Sequence, residues 1–459
     1  MIKRFLSRFG GEFPHELWDI SSGPEGHMMI EGCDCVNLAK QYGTPLHVVN
    51  INRLEKDLLN FHNSFRKWYP RVEINYSYKT NPVPGVIKAL HGFGAGAEVV
   101  SPNELRLALT LGVAPEKIIY NGPGKTDDGL RTAVSNNIGL INIDGLNEIE
   151  TIDSLARQNK HKQCVGLRVV SSVGWKSKFG FSIDSGDAFR AYQRINALQN
   201  LIPCGLHLHL GTGITDINIY LRGIKEAIDL SMRLKRELGI TLRYFDFGGG
   251  FNVPTVRSFS KLNKLFGGNY LVRGAKVGNF KSLGEYGRAV TELFGRYYPP
   301  GLDDPPTIIL EPGRAITSSA QSLLLTVLDI KCSRNGITDV ILDGGNNFAA
   351  PLNWEHHEVI YASNMKAPPE KFYTLFGPLC MLGDALLQIK KLPQLKRGDV
   401  LSIMDAGAYF TSMQSNFCFF PKPPVVIVDN LRHKLIRKRE TFEDMIAQDF
   451  PGQWQDSKN

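Results

Sequence analysis

Several short segments of this sequence place reactive side chains directly after apolar runs. Lys79 closes the run INYSYK, His209 lies near the end of GLHLHLG, Gly248, Gly249 and Gly250 follow YFDF, and Glu311 and Arg314 follow TIIL. A lysine that ends an apolar strand is poorly placed for a surface ion pair, and desolvation there favours the neutral amine that attacks carbonyls. Lys79 is therefore a Schiff-base candidate; the structural alternative is a lysine that snorkels to the mouth of the fold. Consecutive glycines at a strand end let bare backbone N–H groups approach an anion, as phosphate cradles require, although such runs also serve simply as tight turns. Pro312, Gly313 and Arg314 strengthen the anion reading, because a guanidinium grips phosphate through two parallel bonds. Glu311 is flanked by apolar residues on its strand side and needs a cationic or protonated partner. A protonated pyridine nitrogen would serve.

These positions need a scaffold that gathers many strand ends in one place. From Glu73 onward short apolar runs alternate with helix-like stretches; the runs are INYSYK, GAEVV, KIIYNG, LINID, VGLRV, GLHLHLG, YFDFGGG and TIILEPG. Between them, segments such as PNELRLALTLGV (102–113) and INIYLRGIKEAIDLSMRLKREL (217–238) repeat apolar residues at helical spacing. Strand and helix alternating eight times predicts an α/β fold, a (β/α)8 TIM-type barrel, over an open doubly wound sheet. Reactive groups of such a barrel sit on the loops at the carboxyl ends of the strands, where the residues above fall. PLHVVN (45–50) reads as a lead-in to the barrel. After Arg314 the rhythm changes to strands without regular helices, SLLLTVLDIK, DVILDGG, DVLSIMDAGAY and PPVVIVDN, which predicts a C-terminal β-rich domain. The expected organisation is an N-terminal segment over 1–46 joining the β domain, a barrel over 47–320 and the β-rich domain over 321–459. The stretch from Arg257 to Arg296, rich in Gly, Lys, Phe and Tyr, is longer than a barrel connection needs and reads as an insertion.

Composition agrees with a globular chain. Of 459 residues 42% are hydrophobic and 21% charged, and no segment approaches the ~20 apolar residues of a membrane span, which excludes disordered, collagenous and integral membrane classes. The net charge of +8 favours anionic partners, including a phosphate-bearing ligand. Seven cysteines with no C-x-x-C pair and no secretory signal read as a reduced, cytoplasmic chain, with Cys33 and Cys35 a packed pair. The basic opening MIKRFLSRFG reads as a solvated extension, a transit peptide or surface-binding helix being the alternative. His207 and His209, with His356 and His357, invite a zinc reading, but no carboxylate or thiol at ligand spacing accompanies them, so no metal is expected. The run from Arg432 to Arg439 is interrupted by Leu435 and Ile436 and lacks interleaved aromatics, so it reads as structure and no nucleic acid is expected.

The pieces YSYKTN (76–81), GAEVVSPNEL (96–105), GLHLHLGTG (205–213), FGGGF (247–251), EPGR (311–314), GPLC (377–380), DAGAYFTSM (405–413) and RKRETFEDM (437–445) follow one another in family order. Together they resemble the pyridoxal-phosphate fold type III decarboxylases, the family of diaminopimelate, ornithine and arginine decarboxylases that shares the alanine-racemase barrel. The resemblance implies that Lys79 holds pyridoxal 5'-phosphate as a Schiff base and that His209 stacks on its ring. It implies that Thr212, Gly248, Gly249, Gly250, Gly313, Arg314 and Tyr409 surround the phosphate, while Glu311 keeps the pyridine nitrogen protonated and the ring a good electron sink. Arg168 and Glu98 match positions near the Schiff base, Glu98 standing where the family usually has Asp. It further implies a homodimer with shared active sites, in which Cys380, with Asp384 and Tyr409, reaches the partner's cofactor and Cys380 protonates the carbanion left by carbon dioxide. Asp343 matches a position near the substrate, and could equally cap a turn.

Two departures bear on substrate. Diaminopimelate decarboxylases carry Glu directly after the catalytic Cys, where this chain has Met381, and an Arg for the distal carboxylate about where this chain reads FAAP (348–351). Losing a buried polar handle leaves a substrate charge unpaired, so plain diaminopimelate is not the expected substrate. Ornithine-type enzymes place Asp after that Cys to hold a distal amine, which Met381 cannot do. The expectation is an amino acid with a larger or unusual side chain, such as a conjugated intermediate of siderophore or antibiotic assembly, or one presented by a carrier. The 257–296 stretch and NWEHHEVI (353–360), with His356, His357 and Glu358, are the segments that could shape its pocket. The alternatives are an amino-acid racemase on the same fold, a diaminopimelate decarboxylase with a divergent pocket, and a non-catalytic homologue, against which Lys79, His209, Glu311, Arg314 and Cys380 all speak.

Overall fold

The eight apolar runs form eight parallel strands in a computed structural model that describes residues 13–176, 178–258, 282–334 and 337–449. They are β1 (Val72–Ser77), β2 (Gly96–Val99), β3 (Ile118–Tyr120), β4 (Leu140–Ile143), β5 (Gln163–Val170), β6 (Leu201–Leu208), β7 (Tyr244–Asp246) and β8 (Thr307–Leu310). Each pairs in parallel with the next, and β8 pairs with β1, so the ring is closed and the open doubly wound alternative is excluded. Among the described residues this barrel unit comprises 51–256 and 282–320, and a second compact unit comprises 13–50, 257–258 and 321–449.

Local signals explain the helices between strands. Pro102–Thr110 starts at Ser101, whose hydroxyl accepts from Glu104 N at 3.2 Å while Glu104 Oε2 accepts from Val100 N at 2.7 Å. Ile217–Leu238 buries Tyr220, Ile224, Ala227, Ile228, Ser231 and Leu234 along one stripe and stops at Gly239, whose φ of 70° suits a residue without Cβ. The helix Leu283–Gly295 carries a capping box between Ser282 and Glu285. Its Tyr286 packs edge-on to Tyr220 and Phe251, and its Phe294 to Tyr69 and Phe245.

That helix corrects the reading of 257–296 as one insertion: 282–296 is a regular barrel element. Arg257–Ser258 is instead a short strand of the other unit, antiparallel to Glu355–His356, and 259–281 lies outside the described residues. The lead-in reading of PLHVVN is corrected too. Leu46–Asn50 is fully buried and pairs antiparallel with Gln321–Arg334 and parallel with Val425–Asp429, which moves the start of the barrel unit from 47 to 51. A five-residue run buried on both faces belongs inside a sheet, and only the second unit offers neighbours for it.

In that unit Gln321–Arg334 is the organising strand, paired also with Ile337–Leu342 and Val400–Ile403. Leu323, Leu325, Val327, Leu375, Leu401 and Ile403 form one apolar cluster, and Trp18, Met28, Cys35, Leu46, Val48 and Val426 belong to another. Cys33 and Cys35 are buried in the second, as a packed pair should be. Arg432–Arg437 is a strand antiparallel to Val425–Asp429. The fully reduced reading does not hold for the barrel, where Cys164 on β5 and Cys204 on β6 form a disulfide with Cα atoms 5.9 Å apart. Cys204 sits at a register shift between Pro203 and Gly205, an offset that a sequence does not display. Among the described residues no helix is long and apolar enough to cross a membrane.

Candidate active site

Strand register gathers the polar side chains at one end of the barrel. Ser77 stands beside Glu98 across β1 and β2, and Arg168, His207 and Asp246 stand abreast on β5, β6 and β7. Glu311 follows β8 by one residue, and Asn121 follows β3 by one. Asn142 lies inside β4. Because side chains alternate inward and outward along a strand, a parallel ring brings such residues into one layer.

Lys79 leaves β1 on a short 3-10 turn, Tyr78–Thr80, and its Nζ donates to Glu98 Oε2 at 2.7 Å. The lysine side chain is 41% exposed and Glu98 only 1%. The desolvation expected at Lys79 is therefore replaced by an ion pair with a buried carboxylate, which tethers the amine while leaving it reachable. Ser77 Oγ donates to the same oxygen at 2.5 Å, and Asn121 Nδ2 donates to Glu98 Oε1 at 3.1 Å and to Glu311 Oε1 at 2.5 Å. Asn142 Nδ2 donates to Asn121 Oδ1 at 2.8 Å, fixing that amide's orientation. One connected network thus links Lys79 to Glu311.

Glu311 is buried, and its electrostatics are decided by a competition. Burial opposes ionisation, but His207 beside it, Asp246 and the charge of Lys79 outweigh burial and hold its carboxyl below the usual range. Asp246 moves the opposite way: burial, then the charge of Glu311, push it well up, so it keeps its proton and offers it to Glu311. His207 Nε2 lies 3.4 Å from Glu311 Oε2, and burial holds the imidazole down. His207, Asp246 and Glu311 place ligand atoms within 4.8 Å of one another, so the fold brings to His207 two carboxylates that the sequence spacing does not show. His209 is pushed down to about 3 by burial, then by Arg168 and Lys79, so its ring is neutral; Nδ1 accepts from Gly249 N at 3.2 Å.

The glycine loop packs tightly for reasons of its own. A Cβ on Gly250, whose φ is 87°, would lie 2.1 Å from Gly211 O, and one on Gly249 2.4 Å from Glu311 O. Gly248 N donates to Asp246 Oδ1 at 2.9 Å, and Gly313 tolerates no Cβ because Thr80 Oγ1 is in the way. Thr212 is exposed on the loop after β6, and Arg314 opens the short helix Arg314–Thr317 after Gly313. These residues fit pyridoxal phosphate: an ionised buried carboxylate for a protonated ring nitrogen, a neutral imidazole for its face, an accessible amine, and a glycine loop with Arg314 nearby.

The remaining expected site residues belong to the second unit. Cys380, Met381, Leu382 and Gly383 form an exposed turn, and Tyr409 adopts a left-handed φ of 67°. Asp384 is buried and accepts from the backbone N–H groups of Asn346 and Leu379. Asp343 accepts from Thr326 N at 2.8 Å and from Thr44 Oγ1 at 2.5 Å, the arrangement of a strand-end staple. Sequence reasoning missed Ser77, Asn121, Asn142 and Asp246. Their signal was a polar residue at or just past the end of an otherwise apolar run, visible in INYSYK, KIIYNG, LINID and YFDF.

A family model described as "Pyridoxal-dependent decarboxylase, pyridoxal binding domain" matches residues 55–318, more than half of the chain. The chain is 29% identical over 445 residues to a diaminopimelate decarboxylase of Methanothermobacter thermautotrophicus, covering 93% of this chain and 96% of that one. It is 28% identical over 439 residues to the diaminopimelate decarboxylase of Bacillus subtilis, covering 93% and 96%. The crystal structure of diaminopimelate decarboxylase from M. jannaschii in complex with L-lysine is similar at a TM-score of 0.85 and 27% identity, covering 94% of this chain and 98% of that one. The barrel ring, the Lys79 to Glu311 network and these matches agree: the chain belongs to the pyridoxal-dependent decarboxylase family and is a pyridoxal-phosphate-dependent amino-acid decarboxylase.

Proposed function

We propose that this chain removes the α-carboxyl group of an amino acid whose distal end is larger than, or different from, that of diaminopimelate, working as a homodimer with shared sites. The observation that carries the site assignment is the single network joining Lys79, Glu98, Asn121 and Glu311 at the carboxyl ends of the barrel strands. When bound, pyridoxal phosphate supplies an electron sink for the pair left by the departing carboxylate. The protein does the rest. Glu98 holds the Lys79 amine in place, Asp246 and His207 keep Glu311 an anion able to hold a proton on a ring nitrogen, and neutral His209 offers a flat apolar face. Cys380, on its exposed turn, is the proposed donor of the proton that replaces carbon dioxide, contributed by the partner subunit.

The substrate reading rests on Met381 and on Phe348, Ala349, Ala350 and Pro351, which bring no charge where diaminopimelate's far end would need one. The second reading, diaminopimelate itself in a divergent pocket, is favoured by the names of the relatives at 27–29% identity. Carbon dioxide release from a panel of free amino acids and amino acids acylated at the side-chain amine separates them. The proposal expects a conjugate or large-side-chain substrate to exceed diaminopimelate in kcat/KM by roughly a hundredfold or more, as one mismatched polar handle implies. Diaminopimelate as the best substrate would overturn it.

A further inference from the structure

The loop that leaves β5 lays two aromatic rings on side chains of the site. Trp175 meets His209 edge-on, with ring centroids 6.0 Å apart and planes at 61°. Phe179 stacks with Arg168, whose guanidinium lies 4.8 Å from the ring centroid. Trp175 is 52% exposed, so its contact with His209, rather than burial in a core, is what the indole contributes.

Local structure fixes where these rings fall. Trp175 N donates to Leu210 O at 3.0 Å, so the indole and the imidazole of His209 hang from two backbone segments tied to each other. Gly174, at a φ of 85°, permits that approach, because a Cβ there would lie 2.6 Å from Leu210 O. Ser172 N donates to Glu226 Oε2 at 2.7 Å, which staples the start of the loop to the helix Ile217–Leu238. At the far end Gly180 N donates to Asp144 Oδ1 at 3.1 Å, just past β4. The loop is thus anchored on both sides of the two rings.

The bond from Gly249 N to His209 Nδ1, at 3.2 Å, fixes one atom of the imidazole but leaves its plane free to rock about that bond. A second ring set edge-on against the imidazole opposes that motion, and such pairs favour a defined angle between planes. A stacking residue depends on its plane more than on the position of any one atom. We infer that Trp175 is a positioning residue, whose ring sets the plane in which His209 meets the ring of pyridoxal phosphate. This role deepens the proposed function and rests on its reading that His209 faces the cofactor. Trp175 acts through His209 and not by touching the reacting atoms.

The test follows the visible absorbance of cofactor-loaded enzyme after dilution into cofactor-free buffer, which gives the rate of cofactor loss. Trp175→Leu should raise that rate roughly threefold to tenfold, the worth of an aromatic pair, and Trp175→Phe, which keeps a ring edge, should stay within about twofold of wild type. In a His209→Ala background Trp175→Leu should change the rate by less than about twofold, because the residue it acts on is gone. Visible circular dichroism of the bound cofactor, which reports how its ring sits, should change in Trp175→Leu and be restored in Trp175→Phe; a role confined to the fold of the loop would not move it. Equal loss rates in wild type and Trp175→Leu, an increase of the same size in the His209→Ala background, or Trp175→Phe as fast as Trp175→Leu would each overturn the role of Trp175 alone. His209→Ala with the loss rate and dichroism of wild type would instead defeat the reading that His209 faces the cofactor, and the role of Trp175 with it.

Discussion

Replacing Asp384 with alanine separates a positioning role from substrate contact. The carboxylate is 2% exposed, and its oxygens accept from Asn346 N at 2.7 Å and Leu379 N at 2.8 Å, while its carbonyl accepts from Gly377 N at 2.9 Å. Gly345 and Gly377 leave room for it: a Cβ on either would fall 2.4 Å or 2.3 Å from a carboxylate oxygen. The side chain therefore stitches the Asp343–Asn347 loop to the turn that carries Cys380. Asp384→Ala strands two buried N–H groups that now meet a charged acceptor, each worth about 1.5–3 kcal/mol, or about 3–6 kcal/mol together. For a unit of roughly 200 residues that is a fall in Tm on the order of 10 °C. Asp384→Asn, which keeps one acceptor oxygen, should lose about half as much. The Cys380 turn loses both anchoring bonds in Asp384→Ala and one of them in Asp384→Asn, and a misplacement of about 1 Å costs up to a hundredfold in rate, so kcat should fall, further in the first, while KM changes little. Differential scanning calorimetry and steady-state carbon dioxide release read the two effects. An unchanged Tm with a raised KM would refute the reasoning and make Asp384 a substrate contact.

Three further outcomes follow from the same structure. Glu311→Gln removes the anion that His207 and Asp246 sustain, and should lower kcat by about a hundredfold or more with little change in fold; near-normal kcat would show that the carboxylate is dispensable. In cofactor-free protein His209 and His356 are held to about 3, whereas unfolded histidine titrates near 6.5. The unfolded chain then binds the extra protons, so stability should fall by about 1.4 kcal/mol per pH unit per histidine as pH drops from about 6.5 toward 3, and His209→Gln should flatten that slope in calorimetric scans; an unchanged slope contradicts it. Mixing inactive Lys79→Ala and Cys380→Ala chains should restore roughly a quarter of wild-type activity if two-fold dimers share their sites, and heterodimers without recovery would place both residues in one subunit's site.

The barrel was legible because each strand is a short apolar run and each helix has a stripe and a cap, and both signals are local. The placement of Lys79, Glu311 and the glycines at strand ends was legible for a related reason: a charged or bare residue at the end of an apolar run is out of place without a ligand or partner. What escaped depended on neighbours far off in the chain. Leu46–Asn50 looks like any buried strand, and only Gln321–Arg334 and Val425–Asp429 reveal its sheet. Asn121 and Asn142 look like loop or strand-end polar residues until the register places them between Glu98 and Glu311. The desolvation argument at Lys79 failed because it took the strand end as apolar and had no means of seeing Glu98 from the next strand. The cysteine reading failed similarly, since the 164–204 pair forms across two strands 40 residues apart.

The central claim is that Lys79 is the residue to which pyridoxal phosphate is attached. Borohydride reduction of the cofactor-loaded enzyme, followed by peptide mass mapping, tests it directly. The account predicts a phosphopyridoxyl group on the nitrogen of Lys79 and none elsewhere. A group fixed on another lysine, or on none, would contradict it.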